Sequence, residues 1–280
     1  MINNIFNKII FNGCSFTEGG GFEAGKREVI REYKEKYGFE YKCEKDVSYP
    51  TIVQRLLPNV QVINQAKSGS GAERILRKAW EYINSHSIEE CRKTLFIFEV
   101  PEAITRLDKY SNKYNTYLVA NVAFDYDKGI INDTQVVMDW IYGPPLDETY
   151  RNKARQVIRD YSEMFINPMA YDTLIQYQFL GFASFCIQNG IQFYYSGCIQ
   201  FLDDMCNKFY PDFSDKYRLN VELNGKIEYN FYGYSHHNNL LIKDEVPNVS
   251  QDGHPGYVAH QNWAEAIVEF LNKKYYKKYL

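Results

Sequence analysis

Twice in its first third the chain runs from a short apolar stretch into a loop of small residues and on toward a helix. Lys8-Ile9-Ile10-Phe11 leads into Asn12-Gly13-Cys14-Ser15 and a glycine-rich exit through Gly21. NVQVINQA, ending its apolar part at Asn64, leads into Lys67-Ser68-Gly69-Ser70-Gly71 and then a helical pattern carrying Ile75, Leu76, Ala79, Trp80 and Ile83. A strand that breaks on glycine and gives way to a helix is the repeating unit of an α/β fold with a parallel sheet. A third apolar run, TLFIFEV at 94–100, is closed by Pro101, and a fourth, IQFYYSG at 191–197, follows a long helix ended by Gly190. In such a sheet the loops after the strands gather at its carboxyl edge, where open α/β folds place ligands.

The segments between these units are read less directly. The charge-dense GKREVIREYKEKYG within 22–46 has a thin apolar face of Val29, Ile30 and Tyr33, which predicts an exposed helix with a solvated charged side. TIVQRLL places Ile52, Val53, Leu56 and Leu57 at helical spacing before Pro58 stops it. Residues 109–169 break the alternation and hold a helix over about 147–165; they read as an elaboration that shapes access to the sheet's carboxyl edge. A long apolar helix is expected over 171–189, from Leu174, Ile175, Phe179, Leu180, Ala183 and Ile187. The last helix shows Trp263, Ile267, Phe270 and Leu271 at i, i+4, i+7 and i+8. No repeat, low-complexity run or linker divides the chain. The expectation is therefore one domain over 1–280, with insertions at about 22–48, 107–170 and 198–250.

Composition narrows the functions. A formal charge of -3 over 280 residues gives no basic footprint for nucleic acid. The first residues lack a basic segment followed by a long apolar one, and no apolar run has membrane-spanning length. Six cysteines without a CxxC pair or metal spacing read as free thiols in a reducing compartment. A soluble cytoplasmic protein that engages neither membrane nor nucleic acid is expected; the oligomeric state is not legible. Aromatic residues make up 16%, with 25 Tyr and 18 Phe. Tyrosine in this excess can line a sugar-binding groove or an interface as well as a core, and the codon bias of an AT-rich genome explains it equally well.

Ser15, on the break after the first strand, is the candidate nucleophile, although a small-residue turn containing serine is by itself mostly just a turn. Asp252, His254 and Pro255 stand immediately before the last helix. A histidine there can take the serine proton, while an adjacent carboxylate fixes its tautomer; alone, the same loop reads as a surface turn with a helix-capping histidine. The other histidines suit a metal poorly, because His86 is isolated and the adjacent His236 and His237 have no zinc-spaced partners. No metal site and no cofactor are expected.

Taken together these fragments resemble the SGNH (GDSL-like) hydrolases. Gly13-Cys14-Ser15-Phe16-Thr17 is similar to the family's first block, GDSxT, with Ser15 at the nucleophile. Asn64 through Gly69 is similar to the second block, whose glycine donates its N–H to the oxyanion, here Gly69. Asp252-Gly253-His254-Pro255 is similar to the fifth block, and His260 and Ala264 recur on the helix after it. The resemblance implies a three-layer α/β/α sandwich on a mainly parallel, flavodoxin-like sheet. It also implies a Ser15–His254 pair, completed by Asp252 or by a backbone carbonyl, with the oxyanion held by the N–H groups of Ser15 and Gly69.

Three departures stand out. Cys14 replaces the block's Asp, and Gln251 occupies the usual acid position. At the third block, where the family's Asn supplies another oxyanion donor, this chain has Phe98-Glu99-Val100-Pro101; loss of one such donor costs roughly 100- to 1000-fold in rate. Thr105 or Arg106 is a possible substitute. Asn12, Glu99 and Arg106 are accordingly candidate substrate contacts. The expected activity is hydrolysis of an acyl ester, acetyl or another short chain, on a carbohydrate or similar polar substrate. The competing expectation is a weakened, non-catalytic binding or structural module on the same fold, of the kind phage relatives with a GCSFT opening suggest.

Overall fold

A computed structural model describes residues 5–22, 27–38, 46–101, 106–112, 116–125, 130–138, 147–165, 168–197, 206–247, 250 and 253–276. Strand β1 (Lys8–Asn12) lies at the centre of a parallel sheet, with β2 (Gln61–Asn64) on one side and β3 (Thr94–Val100) on the other. Beyond β3 comes β7 (Gln192–Gly197), again parallel, so the order is β2-β1-β3-β7. The chain steps to one side of β1 and then crosses to the other, which opens a crevice between the carboxyl ends of β1 and β3.

Because both faces of a parallel sheet are covered, its strands are apolar on both sides; all seven residues of β3 are buried. Ile10, Phe96, Phe98, Phe193 and Tyr195 face helices Ala72–Ser85 and Pro168–Asn189 through Ile75, Leu76, Ala79, Phe179, Phe182 and Ala183. Ile9, Phe11, Leu95, Ile97 and Tyr194 face helices Tyr49–Leu56 and Tyr257–Tyr276 through Ile52, Val53, Ala259, Trp263, Ile267 and Leu271. The result is a three-layer α/β/α arrangement. Phe182 meets Phe98 edge to face at 5.3 Å, and Phe179 meets Tyr195 at 5.4 Å, so much of the aromatic excess fills this core.

The region that the sequence leaves irregular contains a second sheet. Strands β4 (Arg106–Ser111), β5 (Thr116–Asp125) and β6 (Ile130–Met138) pair antiparallel in that order. Leu107, Leu118 and Ala120 join the same core as helix Ala72–Ser85. That helix also holds β4 by charge: the Arg77 guanidinium donates to both carboxylate oxygens of Asp108, and Glu73 accepts from Asp108 N at 2.8 Å.

Two smaller expectations are corrected. The charge-dense helix Arg27–Tyr37 is not simply a solvated element, because Val29 and Tyr33 are buried against Phe22, Val47, Ile242 and Val246. Leu56, expected on an apolar face, is exposed. No described helix is long and apolar enough to cross a membrane.

Candidate active site

The turn that leaves β1 is fixed by lack of room. A Cβ on Gly13 would lie 2.1 Å from Thr17 Oγ1 and 3.2 Å from Glu99 Cβ, so only glycine lets the turn lie on the end of β3. Asn12 is buried, and its amide donates to the Ile75 carbonyl at 3.0 Å, which ties β1 to the neighbouring helix. One helical turn, Ser15–Glu18, follows and ends on Gly19 at φ 96°, in the left-handed region that glycine accepts without strain. The N–H groups of Gly19 and Gly20 both donate to the Ser15 carbonyl, at 2.9 and 2.6 Å, which folds Gly20 back over the serine. Ser15 itself is 9% exposed.

His254 arrives at the same place from the far end of the chain. A Cβ on Gly20 would lie 2.8 Å from Ser15 Cβ and 3.1 Å from both Cδ2 and Nε2 of His254. Serine and imidazole edge therefore border one small space. The histidine loop is held by its backbone, with Ile242 N donating to the His254 carbonyl at 2.8 Å and Gly256 N to the Leu240 carbonyl at 2.7 Å.

Behind that loop sits Glu245. Its carboxylate accepts from Tyr257 N and Val258 N, both at 3.0 Å, and from the Tyr33 hydroxyl at 2.7 Å. The last helix thus has its free N-terminal donors satisfied by a side chain from a distant segment. A Cβ on Gly256 would lie 2.3 Å from Glu245 Oε1, so the closeness depends on glycine. Burial holds the Glu245 carboxyl above its ordinary range despite these donors.

The glycine loop after β2 lies against the serine turn. Asn64 Nδ2 donates to the Thr17 carbonyl at 3.1 Å, Lys67 N to the Gly13 carbonyl at 3.2 Å, and Ser68 N to the Glu18 carboxylate. Gly69 within it has φ 82°. Arg106 leans on this loop, donating from Nη1 to the Ser70 carbonyl at 3.1 Å; a Cβ on Gly71 would lie 2.4 Å from the Arg106 carbonyl oxygen.

Glu99 is buried at the end of β3. Thr17 Oγ1 donates to its Oε2, and the Tyr49 hydroxyl reaches Thr17 Oγ1 at 3.1 Å and the same Oε2 at 3.4 Å. Burial pushes the Glu99 carboxyl up to about 7, opposed by the two hydroxyl donors and by the Arg106 charge. Glu99 is therefore turned beneath the serine turn. His260, fully buried on the last helix, accepts from Tyr49 N at 3.1 Å through Nδ1. Burial, and then the charge of His254, push it down to about 3.

Asp252 and Gln251 lie outside the described residues, as do residues 102–105 with Thr105. Among the described residues no cluster of three or more His, Cys, Asp or Glu could hold a metal ion. The sequence singled out neither Gly20 nor Glu245. The run Gly19-Gly20-Gly21 after Ser15 was a usable sign of close approach. Glu245 left none, because it caps a helix that begins twelve residues later and no local spacing rule reaches that far.

No protein-family model and no curated protein matches the chain. Several solved structures are similar to it along most of its length. TesA is 10% identical over 95% of this chain and 98% of its own, at a TM-score of 0.45. The psychrotrophic esterase EstA from Pseudoalteromonas sp. is 10% identical over 97% and 99%, at 0.44. The acetyl xylan esterase Est2A from the rumen bacterium Butyrivibrio proteoclasticus is 12% identical over 96% of this chain and 65% of its own, at 0.44. At identities this low, only the site's own geometry speaks for its chemistry.

Proposed function

We propose that the chain is a serine ester hydrolase that removes a short acyl group, such as acetyl, from a carbohydrate or similar polar alcohol. The observation that carries this reading is the space beside Gly20, bordered by Ser15 Cβ at 2.8 Å and His254 Nε2 at 3.1 Å. A nucleophile and its base must share such a space.

In this reading His254 takes the Ser15 proton as the Ser15 oxygen bonds to the ester carbonyl carbon. The N–H groups of Ser15 and Gly69 hold the oxyanion, with Gly69 at φ 82°, in the left-handed region that glycine accepts without strain. His254 then gives the proton to the alkoxide as the carbon–oxygen bond breaks and the alcohol leaves. Water, deprotonated by the same histidine, attacks the acyl-enzyme, and the proton returns to Ser15 as the acid departs. Either Asp252 or a backbone carbonyl orients the imidazole. The part-exposed rings of Phe16 and Tyr232, stacked at 4.8 Å with Phe16 edge-on to His254 at 5.5 Å, offer a flat apolar surface to the alcohol or acyl portion.

One observation favours the non-catalytic alternative. Where the resemblance places an oxyanion-donating Asn, Glu99 accepts hydrogen bonds from Thr17 and Tyr49 instead of offering one. Hydrolysis of p-nitrophenyl acetate by the wild type and Ser15→Ala separates the two readings: indistinguishable rates leave the binding module.

A further inference from the structure

The buried carboxyl of Glu99 lies beneath the serine turn, where the charge of Arg106 also acts on it. It grips that turn: Thr17, two residues after Ser15, donates to it, and the Gly13 backbone packs against its Cβ. The Arg106 guanidinium holds the Ser70 carbonyl next to Gly69. The groups facing the carboxyl are the Thr17 hydroxyl from the serine turn, the Tyr49 hydroxyl from helix Tyr49–Leu56, the Cys14 thiol and Arg106 from β4. Burial holds the Cys14 thiol and the Tyr49 hydroxyl above their ordinary ranges, so both stay neutral and Arg106 is the cation of this set.

We propose that Glu99 is a positioning residue that couples the Ser15 turn, through Thr17, to the Gly69 loop, through Arg106, so that its proton state sets the alignment of the two backbone N–H groups. An ionised carboxylate draws in the Thr17 and Tyr49 hydroxyls and the Arg106 guanidinium together. A neutral carboxyl keeps weaker bonds to the hydroxyls and releases most of its pull on Arg106. The carboxyl, lifted by burial to about 7, changes state within the range where such a hydrolase works. The consequence for rate rests on the esterase reading; the coupling itself does not.

The coupling is measured by the amide ¹⁵N and ¹H shifts of Ser15 and Gly69 in the full chain, followed between about pH 5.5 and 8.5. A His254→Gln background removes the nearby imidazole. Both amides are expected to titrate with one shared midpoint, and Glu99→Gln to abolish it. Thr17→Val is expected to weaken the titration at Ser15 while leaving it at Gly69. Identical titration curves with and without Glu99→Gln overturn the proposal. If that variant does not fold, an unchanged Ser15 titration in Thr17→Val overturns it instead. In the wild-type background Thr17→Val is expected to lower kcat about tenfold with KM little changed, as lost alignment does. A chain that shows the shared titration but no ester hydrolysis would retire the esterase reading and leave the coupling in place.

Discussion

Ser15 and His254, drawn from opposite ends of the chain, meet across Gly20, where an added methyl would lie 2.8 Å from one and 3.1 Å from the other. Gly20 is absent from the positive-φ positions, so alanine there meets a steric obstacle and no backbone strain. Gly20→Ala should therefore fold normally yet push serine and imidazole apart, lowering kcat by on the order of 100-fold. Steady-state kinetics beside a thermal melt checks this; full activity with an unchanged melt would show that the two side chains do not work across that space.

Glu245 serves a different end of the site. Glu245→Ala leaves the N–H groups of Tyr257 and Val258 and the Tyr33 hydroxyl without their acceptor. Urea denaturation should show a loss of roughly 2–4 kcal/mol, whereas Tyr33→Phe should cost only about 1 kcal/mol. Since the same carboxylate fixes the helix start next to His254, Glu245→Ala should also lower kcat in the population that remains folded.

Glu99 and His260 give stability opposite pH slopes. The folded-state value of Glu99 is raised from 4.5 to about 7, so its contribution is complete below 4.5 and is lost as pH rises through about 7. His260 is lowered from 6.5 to about 3; its contribution is present above 6.5 and is lost as pH falls through about 3. Glu99→Gln should remove a fall in stability of ~1–3 kcal/mol as pH rises from 4.5 to about 7, and His260→Gln a fall of ~1–3 kcal/mol as pH drops from 6.5 to about 3. Chemical denaturation across pH reads both.

The Phe16–Tyr232 pair tests the substrate surface. Tyr232→Ala removes half of a stacked pair beside the imidazole. It should raise KM for acetylated sugars and aryl esters by about tenfold while leaving ethyl acetate hydrolysis unchanged, since stacking of this kind contributes ~0.5–1.5 kcal/mol. Equal effects on all esters would place the pair outside the substrate's path.

What the sequence disclosed follows from the reach of each signal. β1, β2, β3 and β7 were legible because apolar runs bounded by glycine or proline are local features, and Ser15 stands just past the end of β1, while His254 was singled out from the loop before the last helix. β4 to β6 were not, because what holds β4 is not local: Asp108 and Lys109 pair with Arg77 and Glu73 on an earlier helix. Tyr33 was legible as part of an apolar face in a charge run, but its hydroxyl's role was not, because its partner Glu245 comes from near the far end of the chain. Glu99 was noticed for the Asn it replaces, but its role beneath the turn depends on Thr17 and Tyr49, which no spacing connects.

The most direct measurement is covalent. Intact-mass and peptide analysis after treatment with a fluorophosphonate should place one label on Ser15, with labelling lost in Ser15→Ala and slowed at least about 100-fold in His254→Ala. Labelling elsewhere, or at an equal rate without His254, would contradict a Ser15–His254 hydrolase.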